Sequence, residues 1–543
     1  MAGRGIAAGL ALAAVLAPVP ANSGAPAGDS AGDSAGEPDG APPGPIVIDD
    51  DFADVGPAVA PAPADEAPAD DPGAHRAQVE VRAEAFARAI VDVVQDPAPP
   101  AAEPGAPVAG EDVLAFRWHG RGEGVRRLGG RAKVKVAVRF DADAAFDADA
   151  RASTERYEAH VWDTYVDLYS RWLDLRVGNQ FIAWGTADLL SPNDVVDARD
   201  LRRGFLAHPE DVRWPVFAAT AAVHRGAAEA QLVYLPVAPA HRFELVDGDY
   251  ALLGPNAPTA VERRVGAIVA ALADDPRFAP ALQPIVAIGD PPDRGVGSGE
   301  VGGRLAVTTA AVDAYAFALW GHERSPRIDV AGDLRALFAD AGDALAVDAV
   351  AARVQQLAER GEAAVTASYP RRWHLGAAVA TRVDPIGVKV DVGYDPGATA
   401  LLVSSPADGL LLATPRARDR IAGTVSIDYD RGEELSAVFE LSHARVLGVP
   451  AGARVFQFDG AHQTVAATQL RWAPRGVPVR FELLAFAELR DEPGYAVRPA
   501  VELSGHDHIA VEVAALVYGG PPDTLAGTQA RNDAVSLTVR YGW

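Results

Sequence analysis

Seven charged side chains crowd into positions 188–203: Asp188, Asp194, Asp197, Arg199, Asp200, Arg202 and Arg203. Fixed charge of mixed sign at this density suits the sorting of ions in water, where rings of charged groups set which ion passes. The same charges could instead knit their own loop together or fasten it to a wall, and the sequence keeps both arrangements open. Further candidates fall on alternate positions of extended segments: Arg176, Lys389, Asp391, Arg480, Glu482, Arg498, Glu502 and Arg540, with Lys133, Lys135, Arg139, Asp163, Asp167 and Asp174. Together they describe a hydrated interior face, but their mixed sign names no substrate.

Covalent chemistry finds no comparable cluster. There is no G-x-S-x-G elbow, no H-E-x-x-H, no phosphate-binding loop and no dinucleotide glycine fingerprint. Ser442 and His443 adjoin on a predicted strand, so they face opposite sides and cannot act as nucleophile and base. His506 and His508 flank a tight turn and read as solvated groups, and Asp49, Asp50 and Asp51 read as part of an acidic run. The absence of cysteine excludes disulfides, thiolate metal sites and a lipid-modified N-terminal cysteine. No catalytic residue, metal ligand or cofactor is assigned, and an enzyme is not expected. A formal charge of −25 argues against nucleic acid as a partner.

The candidate charges must be held by strands. From residue 131 the dominant pattern is alternation with period two, in segments of about ten residues, the length a tilted membrane strand requires. Val134, Val136, Val138 and Phe140 alternate with Lys133, Lys135 and Arg139; Ile386, Val388, Val390, Val392 and Tyr394 alternate with Gly387, Lys389, Asp391 and Gly393. Strands are predicted near 131–140, 156–169, 172–184, 215–224, 227–237, 301–310, 312–322, 372–382, 386–394, 421–429, 434–446, 463–473, 477–488, 495–504, 508–518 and 533–543. These make an all-β, transmembrane, antiparallel up-and-down barrel of about 16 strands (14 to 18) over 113–543.

The predicted connections alternate, with tight turns near Ser170, Arg225, Ala311, Asp384, Arg431, Pro474 and Gly505 and longer loops between them, the largest at 238–300 and 323–371. Within the second, Leu334, Leu337, Phe338, Leu345, Val350, Val354 and Leu357 predict one or two helices over 331–360. Trp172, Trp184, Trp320, Trp373, Tyr394, Tyr429, Trp472, Tyr495, Tyr518 and Tyr541 fall near strand ends, as interfacial aromatics do. The last segment sets Val535, Leu537, Val539, Tyr541 and Trp543 on one face, and should close the barrel against the strand near 131–140. Leu114, Phe116 and Trp118 read as an approach segment or a short extra pairing.

The N-terminal part differs. Residues 1–21 read as a signal peptide, with Arg4, an apolar run from Ile6 to Leu16 and small residues before a cleavage point near Ala21. Residues 22–112, rich in Ala, Pro and Gly, carry 19 acidic and 3 basic side chains and read as a periplasmic tether. One helix is predicted near 75–96, where Val79, Ala83, Phe86, Ile90 and Val94 recur at helical spacing.

Residues 163–204 carry a more specific pattern: Y-V-D-L, then L-R-x-G-x-Q, then W-G-x-A-D, then an aspartate- and arginine-rich loop. This resembles the signature of a large, porin-like family of proteobacterial outer-membrane barrels of mostly unassigned substrate. Leu175, Arg176, Gly178, Gln180, Trp184, Gly185, Asp188, Asp194, Arg199 and Asp200 match; Asp197 and Ala198 stand where the pattern has Asn and Pro.

The resulting expectation is a Gram-negative outer-membrane channel for passive or selective passage of small solutes, its N-terminal tether and C-terminus in the periplasm. Its expected partners are outer-membrane lipid and lipopolysaccharide, the barrel-assembly machinery, small solutes and a periplasmic partner of 22–112. Two rivals share the fold: a barrel handling hydrophobic or lipidic cargo with an envelope exporter, and a non-transporting anchor that uses the acidic tether.

Overall fold

A computed structural model describes residues 79–92, 114–146, 152–205, 209–246, 248–273, 298–341, 345–432, 434–506 and 508–542. These residues form an all-β antiparallel barrel of eighteen strands. In chain order the strands are β1 (Val79–Asp92), β2 (Leu114–Leu128), β3 (Ala132–Phe146), β4 (Ala152–Val161, continued as Tyr165–Tyr169), β5 (Leu173–Gln180) and β6 (Val216–Arg225). Then come β7 (Ala228–Leu235), β8 (Glu300–Thr308), β9 (Asp313–His322), β10 (Arg371–Val383), β11 (Ile386–Val403) and β12 (Thr414–Asp430). The last six are β13 (Leu435–Val446), β14 (His462–Trp472), β15 (Val479–Glu488), β16 (Tyr495–His506), β17 (Ile509–Gly519) and β18 (Ala534–Gly542). All sixteen predicted strands are present; the two added ones are β1 and β2.

Those two strands correct the reading of the N-terminal part. The segment expected as a helix is β1, paired along its length with β2 and, from Glu84↔Gly542 to Asp92↔Ala534, with β18. The last strand therefore closes on β1, not on the strand near 131–140, and the barrel begins at Val79 rather than at 113. The misreading has a physical cause: four of β1's residues are alanine, which contrasts weakly with either face and left Val79, Ala83, Phe86 and Ile90 to suggest a helical period. Phe86 and Arg88 are buried, while Ala87 and Val91 between and beyond them are exposed, as a two-residue period requires. Leu114, Phe116 and Trp118 belong to β2, whose exposed Phe116 and Trp118 face outward. The expected signal peptide, most of the tether and Trp543 lie outside the described residues.

Closure gives every strand two hydrogen-bonded edges, which a sheet in hydrocarbon needs because no water is present to satisfy a free one. Outward positions carry the apolar half of each alternation: Val136, Val138 and Phe140 on β3, Val388, Val390 and Val392 on β11, and Val535, Leu537 and Val539 on β18 are all exposed. An apolar belt this extensive is unsuited to water and suited to a bilayer. Among the described residues no helix is long and apolar enough to cross a membrane. Of the expected interfacial aromatics, Trp172, Trp373, Trp472, Tyr495 and Tyr541 are exposed, whereas Trp184 and Tyr518 are buried in the interior.

Connections after even-numbered strands are tight turns, and the three largest after odd-numbered strands are 181–215, 236–299 and 323–370. Two of these build a small helical layer at the long-loop end. It contains α1 (Ala260–Ala273), α2 (Gly332–Ala341), α3 (Val347–Glu359) and a hairpin of Arg327–Val330 with Val365–Ser368. The predicted 331–360 helices are α2 and α3. Val265, Ile268, Leu334, Phe338, Val350 and Val354 share one apolar core with Leu411. Thr259 and Glu262 cap α1 reciprocally: the Thr259 hydroxyl accepts the Glu262 N–H, and the Glu262 carboxylate accepts the Thr259 N–H, each at 3.2 Å.

Candidate functional site

The long connection between β5 and β6, residues 181–215, turns into the barrel instead of standing above it. Its entry is built by residues of the resemblance motif. Gly178 has φ +141°, and a Cβ there would lie 2.2 Å from the Thr164 carbonyl oxygen, so glycine alone lets β5 pass the break in β4. Gln180 donates to the Ala218 carbonyl at 3.0 Å. Trp184, fully buried, stacks on Phe317 at 5.8 Å and donates to Gln231 at 3.3 Å.

Beyond Gly185 the loop crosses to β10–β13. Asp391 of β11 accepts the backbone N–H groups of Thr186 and Ala187 and the hydroxyls of Thr186 and Ser191. Glu440 of β13 accepts the N–H groups of Asp188 (2.6 Å), Leu189 (3.1 Å) and Leu190 (2.7 Å). Both carboxylates are wholly buried. Lys389 joins Asp188 to Asp428, 2.7 Å from each. Asn193 donates to the Ala377 carbonyl and shares a hydrogen bond with His374, while Thr424 donates to the Leu190 carbonyl. Buried carboxylates holding consecutive amides make strong, charge-assisted attachments.

The returning half is held by ion pairs. Asp197 accepts the Ile182 N–H at 2.8 Å and pairs with Arg213 at 2.7 Å; burial, with Asp194 nearby, pushes its carboxyl up to about 7 against the pull of Arg213. Arg199 pairs with Asp194. Arg202 binds Asp200 and, on β4, Glu158, which also takes Arg242. Burial works to raise Asp200, but its hydrogen bonds and charge contact with Arg202 hold it below the usual carboxylate range. Arg203 reaches Asp143 of β3 at 2.7 Å. Asp211 lies among Arg88 of β1 (2.9 Å), Arg139 of β3 (3.4 Å) and Arg203 (3.4 Å); against its burial, these cations hold it well below the usual range. Leu189, Phe205 and Tyr250 pack against Leu484, Phe486, Leu516 and Tyr518 on β15 and β17.

The loop therefore touches walls on several sides of the bore. Of the sequence candidates, Asp188, Asp194, Asp197, Arg199, Asp200, Arg202, Arg203, Lys389 and Asp391 come together here. Arg176 does not: it pairs with Asp167 at 2.6 Å and stacks over Tyr165. Arg480, Glu482, Arg498, Glu502 and Arg540 form a separate ladder on β15–β18, joined through Glu512: Arg498 binds Glu512 at 2.7 Å and Arg540 binds Glu502 at 3.1 Å. Sequence reasoning missed Glu440, Asp211 and Arg88. Glu440 was detectable as a single acid between Phe439 and Leu441 on an alternating strand. Arg88 was hidden by the helical reading of β1.

No family model and no curated protein matches the chain. Solved structures with a similar trace include OccAB2 of Acinetobacter baumannii (8% identity, 86% of this chain and 98% of that one, TM-score 0.42). Others are OmpF of Salmonella typhi in complex with daunomycin (8%, 86% and 97%, 0.39) and OmpT, an outer membrane protein of Vibrio cholerae (9%, 86% and 99%, 0.35). Strand number and closure rest on this chain's own pairing.

Proposed function

We propose that the protein is an outer-membrane channel for small hydrophilic solutes, narrowed by the 181–215 loop. The observation that carries this reading is that loop's position inside the bore, fixed to β11 and β13 by Asp391 and Glu440. A barrel of this strand number is wide enough for a water-filled channel, and an inward loop is how such a bore becomes selective. The apolar belt places the strands in a bilayer. The short turns and both ends of the barrel then face the periplasm, as in other bacterial barrels.

Charged side chains on both loop and wall favour ions and polar solutes over lipidic cargo. Purified protein in planar bilayers should give discrete conductance steps that depend on the sign of the charge at Arg203 and Asp211. Absence of conductance over the full range of voltage and salt, with the barrel correctly folded, would count against an open channel.

A further inference from the structure

The short-turn rim carries an uneven charge distribution. Arg126, Arg127 and Arg131 sit at the β2–β3 turn, Arg171 at the β4–β5 turn and Arg225 at the β6–β7 turn, all exposed. None forms an ion pair with a described residue, and no carboxylate occurs in 126–132, 169–173 or 223–228. Across the ring the pattern differs: Arg382 pairs with Asp384 and Asp430, and Arg475 pairs with Glu434. Arg431, exposed at the β12–β13 turn, has Asp430, Glu433 and Glu434 beside it in sequence, so cations with no carboxylate at hand are confined to one sector.

That sector is where the chain enters the barrel. Val79, the first residue of β1, stands directly opposite Arg126 in the β1–β2 register. Just upstream, positions 49–71 hold eight carboxylates, Asp49, Asp50, Asp51, Asp54, Asp65, Glu66, Asp70 and Asp71, with no lysine or arginine. Asp71 is eight residues from Val79, a span of up to about 27 Å when extended. Turns two strands apart are separated by roughly 10 Å, so the whole sector from Arg126 to Arg225 lies within reach.

We infer that the arginine sector of the short-turn rim is a docking surface for the chain's own acidic segment 49–71. Connection through β1 makes the encounter intramolecular, at an effective concentration on the order of millimolar, so weak pairwise attractions suffice. Exposed pairs of this kind are screened by salt. The inference does not depend on whether the barrel conducts.

The absence of native cysteine allows a direct test in the full chain. Ala67→Cys is combined either with Ala227→Cys, in the arginine sector, or with Val477→Cys, at a comparable distance around the rim, and a short bis-maleimide is added. At about 20 mM salt, Ala227→Cys should cross-link at least about fivefold faster than Val477→Cys. The preference should vanish near 0.5 M salt, where the screening length falls to about 4 Å. It should also vanish in an Arg126→Glu, Arg131→Glu, Arg171→Glu background. Equal rates at low salt, or a preference indifferent to salt, would overturn the inference. So would equal rates accompanied by charge reversal that lowers only the retention of phosphatidylglycerol, which assigns the arginines to lipid headgroups.

Discussion

The carboxylate of Glu440 accepts the backbone N–H of Asp188 at 2.6 Å, although the loop bearing Asp188 leaves β5 and Glu440 stands eight strands away on β13. With Leu189 and Leu190 as further donors, one side chain holds the loop tip from the far wall. Glu440→Gln leaves a single oxygen and turns an amide N–H₂ toward backbone donors. Loss of charge-assisted hydrogen bonds at a buried site should cost about 1.5–3 kcal/mol. Urea unfolding should register that loss, and single-channel recordings should show noisier, larger openings as the tip detaches. Quiet openings of unchanged size would mean that Glu440 does not position the loop.

Asp211 offers a test with the opposite electrostatic sense. It lies among Arg88, Arg139 and Arg203 and is essentially unexposed. Asp211→Asn leaves those guanidinium groups to be compensated by the neighbouring Asp141 and Asp143. Removing one partner of a buried ion network typically costs about 3–5 kcal/mol. The added positive charge should shift ion preference toward anions, measured as the reversal potential in a potassium chloride gradient. A shift toward cations, or none, would mean that the field of this buried cluster does not act on the permeating ions.

Acid should weaken the loop's attachment through His241. Its Nδ1 accepts the Arg199 N–H at 3.0 Å, and burial, aided by Arg199 and Arg324, lowers its pKa to about 3. Since this value lies below the usual 6.5, the native state binds fewer protons than the unfolded one. The contribution is complete above pH 6.5 and is lost as pH falls toward 3. Asp197, raised to about 7, acts oppositely: its contribution is complete below the ordinary carboxylate range and is lost as pH rises through 7. The two overlap, so the informative comparison is wild type against His241→Asn, whose amide oxygen keeps the acceptor without titrating. Melting midpoints should agree at pH 7, and at pH 4 the variant should be more stable by about 1–2 kcal/mol, allowing for partial exposure. Equal midpoints at both pH values would remove His241 as the source.

The strand pattern was legible because lipid and lumen impose opposite chemistries on alternate residues. Val388–Lys389–Val390–Asp391 shows both in four positions. β1 was not, because its outward positions are mostly alanine and its buried arginine is explained by Asp211 and Thr538, each over a hundred residues away. Within the loop, composition revealed a dense charged cluster but not its partners. Asp143, Glu158 and Glu440 are assigned by register and closure, which no local pattern encodes. The sequence left open whether the charges fasten the loop or line a passage. In the structure these charges are paired with one another and with the barrel wall.

The motif glycine Gly185 makes the last test, because it separates a steric requirement from an electrostatic one. Its φ is +90°, and a Cβ there would lie 2.0 Å from Ser191 Oγ and 2.6 Å from Asp391 Oδ2. The backbone demand and the collision act together, and the atoms struck are those fastening the loop to β11. Relief would require moving Asp391 or the turn itself, since both sit in a close-packed interior. Gly185→Ala should therefore cost more than the roughly 1 kcal/mol expected from a left-handed position alone. It should also release the tip, and Asp391→Asn, which weakens the same attachment, should give similar channel noise. The double variant should then be no noisier than either single one, because both changes detach the same contact. Additive effects would instead show that Gly185 shapes the turn independently of Asp391.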